Sequence, residues 1–190
     1  ISLAVVLVLA VAGWKFWENH QLNQRIAEGE KFYNAVDFLS NMKANDAAQA
    51  FSELGGQTSS GYGFLSRFYE AALLSKSGAV TEAIKVYDAI ESEASVPSSM
   101  RNLAIILGAL NALKISTINS EVIIKRVQKL TGPGKPYRHM ALEILALCAK
   151  RDGDIREARA RYEEVANDPE APNGIRSRAA QMVEILGGGK

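Results

Sequence analysis

Residues 71–87, AALLSKSGAVTEAIKVY, and residues 146–162, ALCAKRDGDIREARARY, write one signature twice. Ala71, Gly78, Glu82, Ala83 and Tyr87 recur as Ala146, Gly153, Glu157, Ala158 and Tyr162 at a constant shift of about 75 residues, roughly two periods of a 34-residue helical hairpin. Each position has a physical reason. Ala71 and Ala146 are small residues on a first helix, where a second helix must approach closely. Gly78 and Gly153 supply the positive φ that ends that helix, because glycine has no Cβ to clash there. Glu82 and Glu157 fall in the first turn of the next helix, where the dipole favours a carboxylate. Ala83 and Tyr87 are four apart and share one face, small for the crossing and aromatic to fill the groove toward the neighbouring hairpin.

Working outward, a weaker copy lies upstream, where Phe32, Ala35, Ala47, Phe51 and Leu54 match Phe68, Ala71, Ala83, Tyr87 and Ile90 at a shift of roughly 36. Met42 occupies the glycine position, and Asn45 with Asp46 is expected to make the break instead. Residues 98–130 have the length of a hairpin without its motif: Leu103, Ile106, Leu107 and Leu110 keep helical spacing, as do Ile123, Val127 and Leu130, with Asn119 or Ser120 as the cap. The predicted order is a long helix to about Met42, a partner helix through Ala47–Leu54, and a Gly/Ser-rich loop from Gly55 to Gly63. Hairpins follow over 64–94, 98–130 and 137–167, with Thr131–Pro136 as a breaker between the last two. A capping helix over 172–187 carries Ile175, Ala179, Met182 and Leu186 as one stripe, with Arg176, Arg178 and Glu184 off it.

These residues resemble the tetratricopeptide repeat, in which a small residue, a glycine, an alanine and an aromatic follow at these spacings. The consensus proline is displaced to Pro97 and Pro169. The resemblance implies an all-α fold of antiparallel hairpins stacked as a short superhelical solenoid. In such an array the first helix of each hairpin lines the concave side. The groove candidates are therefore Leu65, Phe68, Ala72 and Ser75 or Lys76 on one unit, and Met140, Glu143, Leu147 and Lys150 or Arg151 on the last.

The beginning of the chain is different in kind. Residues 1–12 are apolar apart from Ser2, and Trp14, Lys15, Phe16 and Trp17 follow, as at a membrane interface where aromatics sit and lysine snorkels. The run is short of the roughly 20 residues a spanning helix needs, so the expectation is a partial membrane anchor over 1–17, completed upstream, with the repeat domain over 18–190. Ala10-Val11-Ala12 also has the form of a signal-peptidase site, but cleavage there would leave the aromatic cluster bare at a new amino terminus. Lys15, Arg25 and Lys31 leave an orientation toward the cytoplasm open.

Chemistry is sparse. The net charge of +1 on 190 residues gives no global field toward nucleic acid, and the basic residues Lys150, Arg151, Arg156, Arg159 and Arg161 are interleaved with acids as on a solvated helix. The lone Cys148 reads as a core thiol, and His20 and His139 as surface residues without ligand spacing. Gly132–Lys135 lacks the earlier glycine, the following Ser or Thr and the preceding strand of a phosphate loop, and Gly61-Tyr62-Gly63 follows no strand. No catalytic, cofactor or metal site is expected, and no small-molecule substrate.

The stretch Gly13-Trp14-Lys15-Phe16-Trp17 followed by Asn19-His20-Gln21 is similar to the membrane exit of the YfgM-type ancillary subunits of the bacterial Sec translocon. That resemblance implies a single-pass inner-membrane protein with a periplasmic repeat domain. Its partners would be the translocon, the membrane-anchored chaperone PpiD, secreted client chains and the lipid bilayer. An adaptor of another envelope assembly, or a holdase acting directly on unfolded chains, would use the same repeats.

Overall fold

The computed structural model describes residues 2–58 and 60–187, with side chains from Leu7 onward; Ile1, Ser59 in the predicted loop and the end of the chain at 188–190 lie outside the described residues. The described residues are helical with no strand: α1 Ser2–Ser40, α2 Ala44–Gln57, α3 Gly61–Lys76, α4 Val80–Ser92, α5 Ser98–Ala112, α6 Ser120–Val127, a 3-10 turn Gln128–Leu130, α7 Arg138–Arg151, α8 Ile155–Asn167 and α9 Asn173–Gly187. The chain divides into two compact units, Ile1–Glu70 and Ala71–Lys190, with the boundary inside α3.

In the first unit the later part of α1 packs on α2. Ala35, Ala47, Phe51 and Leu54 are buried there. Phe51 stacks on Tyr69 at 4.8 Å between ring centroids, and Phe32 meets both rings edge-on at 5.5–5.6 Å. Such pairs add about 0.5–1.5 kcal/mol each beyond the area they bury.

The turn between α1 and α2 corrects the expectation from Asn45 and Asp46, which lie within α2. Met42 itself takes the left-handed conformation, with φ 59°, at the place where Gly78 has 92° and Gly153 has 85°. Its amide donates to the Leu39 carbonyl and the Lys43 amide to Phe38; Gly153 donates in the same way to Lys150, and Asp154 to Ala149. Both are the paired bonds that close a helix C-terminus around one left-handed residue. Met42 is almost fully solvent-exposed, so the strained backbone is not offset by side-chain burial.

The loop expected at 55–63 is mostly helical, because α2 runs to Gln57 and α3 begins at Gly61. Gly55 and Gly63 serve close approach there. A Cβ on Gly63 would lie 2.0 Å from the Thr58 carbonyl oxygen.

In the second unit the repeated positions form a buried spine: Ala71, Ala83, Tyr87 and Ile90, then Ala146, Ala158, Tyr162 and Val165. The residues without motif form a real hairpin, since α5 and α6 pack together and α6 then meets α7. Ile105, Ile106 and Ala109 share a core with Ile123, Val127, Leu130, Ala141, Ile144 and Cys148. Asn119 is the cap of α6, accepting from the Glu121 amide, and Asp154 caps α8 by accepting from Glu157. Burial pushes the Cys148 thiol above its ordinary pKa, as for a core thiol.

Candidate functional site

The C-terminal end of the second unit encloses a cavity of about 460 Å3. One wall is α7, which presents Met140, Glu143 and Leu147 at helical spacing; Leu110 of α5 closes one side, and Arg178 and Met182 of α9 the other. Tyr162 of α8 forms the remaining lining. α9 takes its place because Ala179 is buried among Leu142, Ala146 and Tyr162, with Ile175, Met182 and Leu186 packed around them. That register turns Arg178 onto Glu143.

The Glu143 carboxylate accepts from Arg178 Nε at 2.9 Å and from Nη2 at 2.5 Å. Glu143 is 8% exposed and lies on the cavity wall. Its charge is matched inside the protein. This two-pronged pairing is the geometry a guanidinium gives to a carboxylate. Tyr162 is 3% exposed, and its hydroxyl has no hydrogen bond with a described residue. Burial, and after it the Glu143 carboxylate, raise its pKa, so the phenol stays protonated and able to donate.

The other groove candidates separate. Lys150 is exposed, and Arg151 turns away from the cavity to donate from Nε and Nη2 to Ser120 Oγ at the start of α6. Ala72 and Lys76 are exposed on α3. In the first unit Phe68 is half-buried, and Leu65 lines a different cavity with Arg25, Glu28 and Tyr62.

His139 corrects its reading as a surface residue. Its Nε2 lies 3.0 Å from Asp168 Oδ2, which also pairs with Arg138, while Arg138 reaches Glu164 Oε1 at 2.9 Å. The His139 hydrogen bond, followed by the Glu170 amide and Arg138, holds the Asp168 carboxyl at a pKa of about 2. This cluster ties the start of α7 to the end of α8. Among the described residues no group of three or more His, Cys, Asp or Glu is placed to hold a metal.

At the other end of the chain, Leu7, Val8, Leu9 and Val11 are each more than half exposed, and Trp14, Phe16 and Trp17 are 65%, 78% and 55% exposed. Trp14 and Trp17 lie on one face, 6.0 Å apart between ring centroids. Lys15 bonds Glu18 at 2.8 Å. No helix among the described residues is long and apolar enough to cross a membrane. Within α1 the apolar run stops at Trp14 and Lys15.

The sequence pattern of the family described as "Tetratricopeptide repeat-like domain" matches residues 1–182. The chain belongs to that family. Neither the curated proteins nor the solved structures provide a match to it. Tetratricopeptide repeat-like domains bind proteins, and their fold is typically a scaffold for interaction and not for catalysis. In this tetratricopeptide repeat-like chain the cavity falls where first helices α5, α7 and α9 face one another. Leu110, Tyr162, Arg178 and Met182 were not among the residues the sequence singled out for the groove. In the sequence Tyr162 repeats the aromatic that fills the groove toward the neighbouring hairpin, and Arg178 lies off the apolar stripe of the capping helix. A signal for the pair did exist: Glu143 and Arg178 are opposite charges 35 residues apart, about one repeat.

Proposed function

We propose that this chain is a non-enzymatic, membrane-anchored repeat protein that binds other proteins at the bacterial inner membrane. In this reading it is an ancillary factor of the Sec translocon, linking it to periplasmic chaperones such as PpiD for the folding of secreted proteins. The observation that carries the reading is the first stretch of α1. A helix that is apolar and exposed around its circumference from Leu7 to Val11, and ends in Trp14, Phe16 and Trp17, has the surface of a lipid-embedded segment with its interfacial belt. It continues without a break into a repeat domain of a protein-binding family. In this reading the repeat domain lies in the periplasm. The likeness of Gly13–Trp17 to the membrane exit of the YfgM-type subunits supports the choice of the translocon.

The test is purification of the whole gene product from native membranes in mild detergent. Extraction with the inner membrane, together with the translocon and a PpiD-like chaperone, is the expected result. Recovery from the soluble periplasm, or with a different envelope complex in abundance and the translocon absent, would overturn it.

A further inference from the structure

We infer that the cavity between α7, α8 and α9 accepts one large uncharged apolar side chain of an extended peptide segment, with a main-chain carbonyl of that segment hydrogen-bonded to the Tyr162 hydroxyl. This rests on the reading that the array binds protein chains, and specifies the class of chain. The volume of about 460 Å3 lies within the range of about 300–1,000 Å3 usual for ligand sites. The walls decide the guest. Leu110, Met140, Leu147 and Met182 are apolar, and the two thioether side chains adjust to guests of different shape.

Charge selects against alternatives. Among the described residues the ionised groups lining the cavity are Glu143 and Arg178, and both carboxylate oxygens are already held by the guanidinium. A charged guest would leave water for apolar walls and find no free counter-charge. An apolar guest loses nothing of that kind. The Tyr162 hydroxyl supplies the polar anchor: its residue is 3% exposed, it lines the cavity, and no hydrogen bond joins it to a described residue. A hydroxyl on the cavity wall can donate to what fills the cavity, and the main-chain carbonyl of a bound segment is an acceptor present whatever the side chain.

The chain has four methionines, Met42, Met100, Met140 and Met182, so a methyl spectrum of the whole chain in lipid nanodiscs, labelled with 13C at the methionine methyls, reads the cavity directly. The probe is a Gly/Ser-rich undecapeptide with one central Phe, compared with the same peptide carrying Asp or Lys at that place. The Phe peptide should shift Met140 and Met182 and leave Met42 and Met100 in place. The Asp and Lys peptides should bind at least tenfold more weakly. Tyr162→Phe, which keeps the ring and its packing, should weaken binding about fivefold, and Leu147→Lys should abolish it. If Leu147→Lys fails to fold, Tyr162→Phe still decides. Shifts confined to Met42 or Met100, equal binding of the charged peptides, unchanged affinity of Tyr162→Phe, or no shift at millimolar peptide would each overturn the inference. Such a failure alongside co-purification of the translocon leaves the proposed function standing. Peptide binding here, with a different complex co-purifying, removes the translocon and keeps the cavity.

Discussion

The first and last hairpins use one set of packing rules and end in opposite surroundings. Ala35, Ala47 and Phe51 in the first are buried as Ala146, Ala158 and Tyr162 are in the last. Yet the first turns on an exposed methionine in a left-handed conformation, and the last on a glycine. The first continues backward into a bare apolar helix, whereas the last is covered by α9, which closes a cavity over it. The comparison separates scaffold from function. The small and aromatic positions set the hairpin wherever they occur, and what each hairpin does is decided by what lies beyond it.

The largest effect should come from emptying the shared aromatic position. Phe51→Ala and Tyr162→Ala should each lower unfolding stability by about 3–5 kcal/mol in urea titrations, since both rings are buried. A loss below about 1 kcal/mol for Tyr162→Ala would mean that its ring belongs to the cavity and not to the spine. Next in size is Arg178→Ala, which strips a buried carboxylate of both its charged hydrogen bonds and should cost about 2 kcal/mol.

The repeated spine was legible because alanine and the aromatics announce close crossing and filled groove through their own size. The turn at Met42 was not. Nothing in a methionine side chain states a backbone angle, and Asn45 and Asp46 nearby are better turn formers on chemistry alone. The helices at the predicted loop were hidden for a related reason: Gly55 and Gly63 read as flexibility when they are in fact places of close approach. Part of the cavity wall was visible in Met140, Glu143 and Leu147, which follow from repeat register on α7. Arg178 was not, because its direction depends on how Ala179 seats α9, and a charge off an apolar stripe ordinarily points to water.

The two turns offer a direct exchange. Gly153→Ala should lower stability by about 1–2 kcal/mol, whereas Met42→Gly should raise it by about 0.5–1 kcal/mol, because glycine takes a left-handed φ without steric cost. A loss of stability in Met42→Gly would show that the side chain holds the first turn by some contact of its own. The smallest effect belongs to the last hairpin in acid. The Asp168 pKa is lowered from 3.8 to about 2, so its contribution is present above the unfolded value and is lost as the pH falls from about 4 through about 2. Asp168→Asn should remove that part of the acid dependence, and the difference between the two acid titrations measures it.

The most direct test of the chain as a protein-binding scaffold is photo-crosslinking in living cells from the two sides of its last hairpin, with the photoreactive residue at Leu147 in the cavity or at Arg156, exposed on α8. Adducts to the translocon, PpiD or secreted chains from Leu147, and few or none from Arg156, are the expected result. Equal adducts from both positions, or none from Leu147, would contradict it.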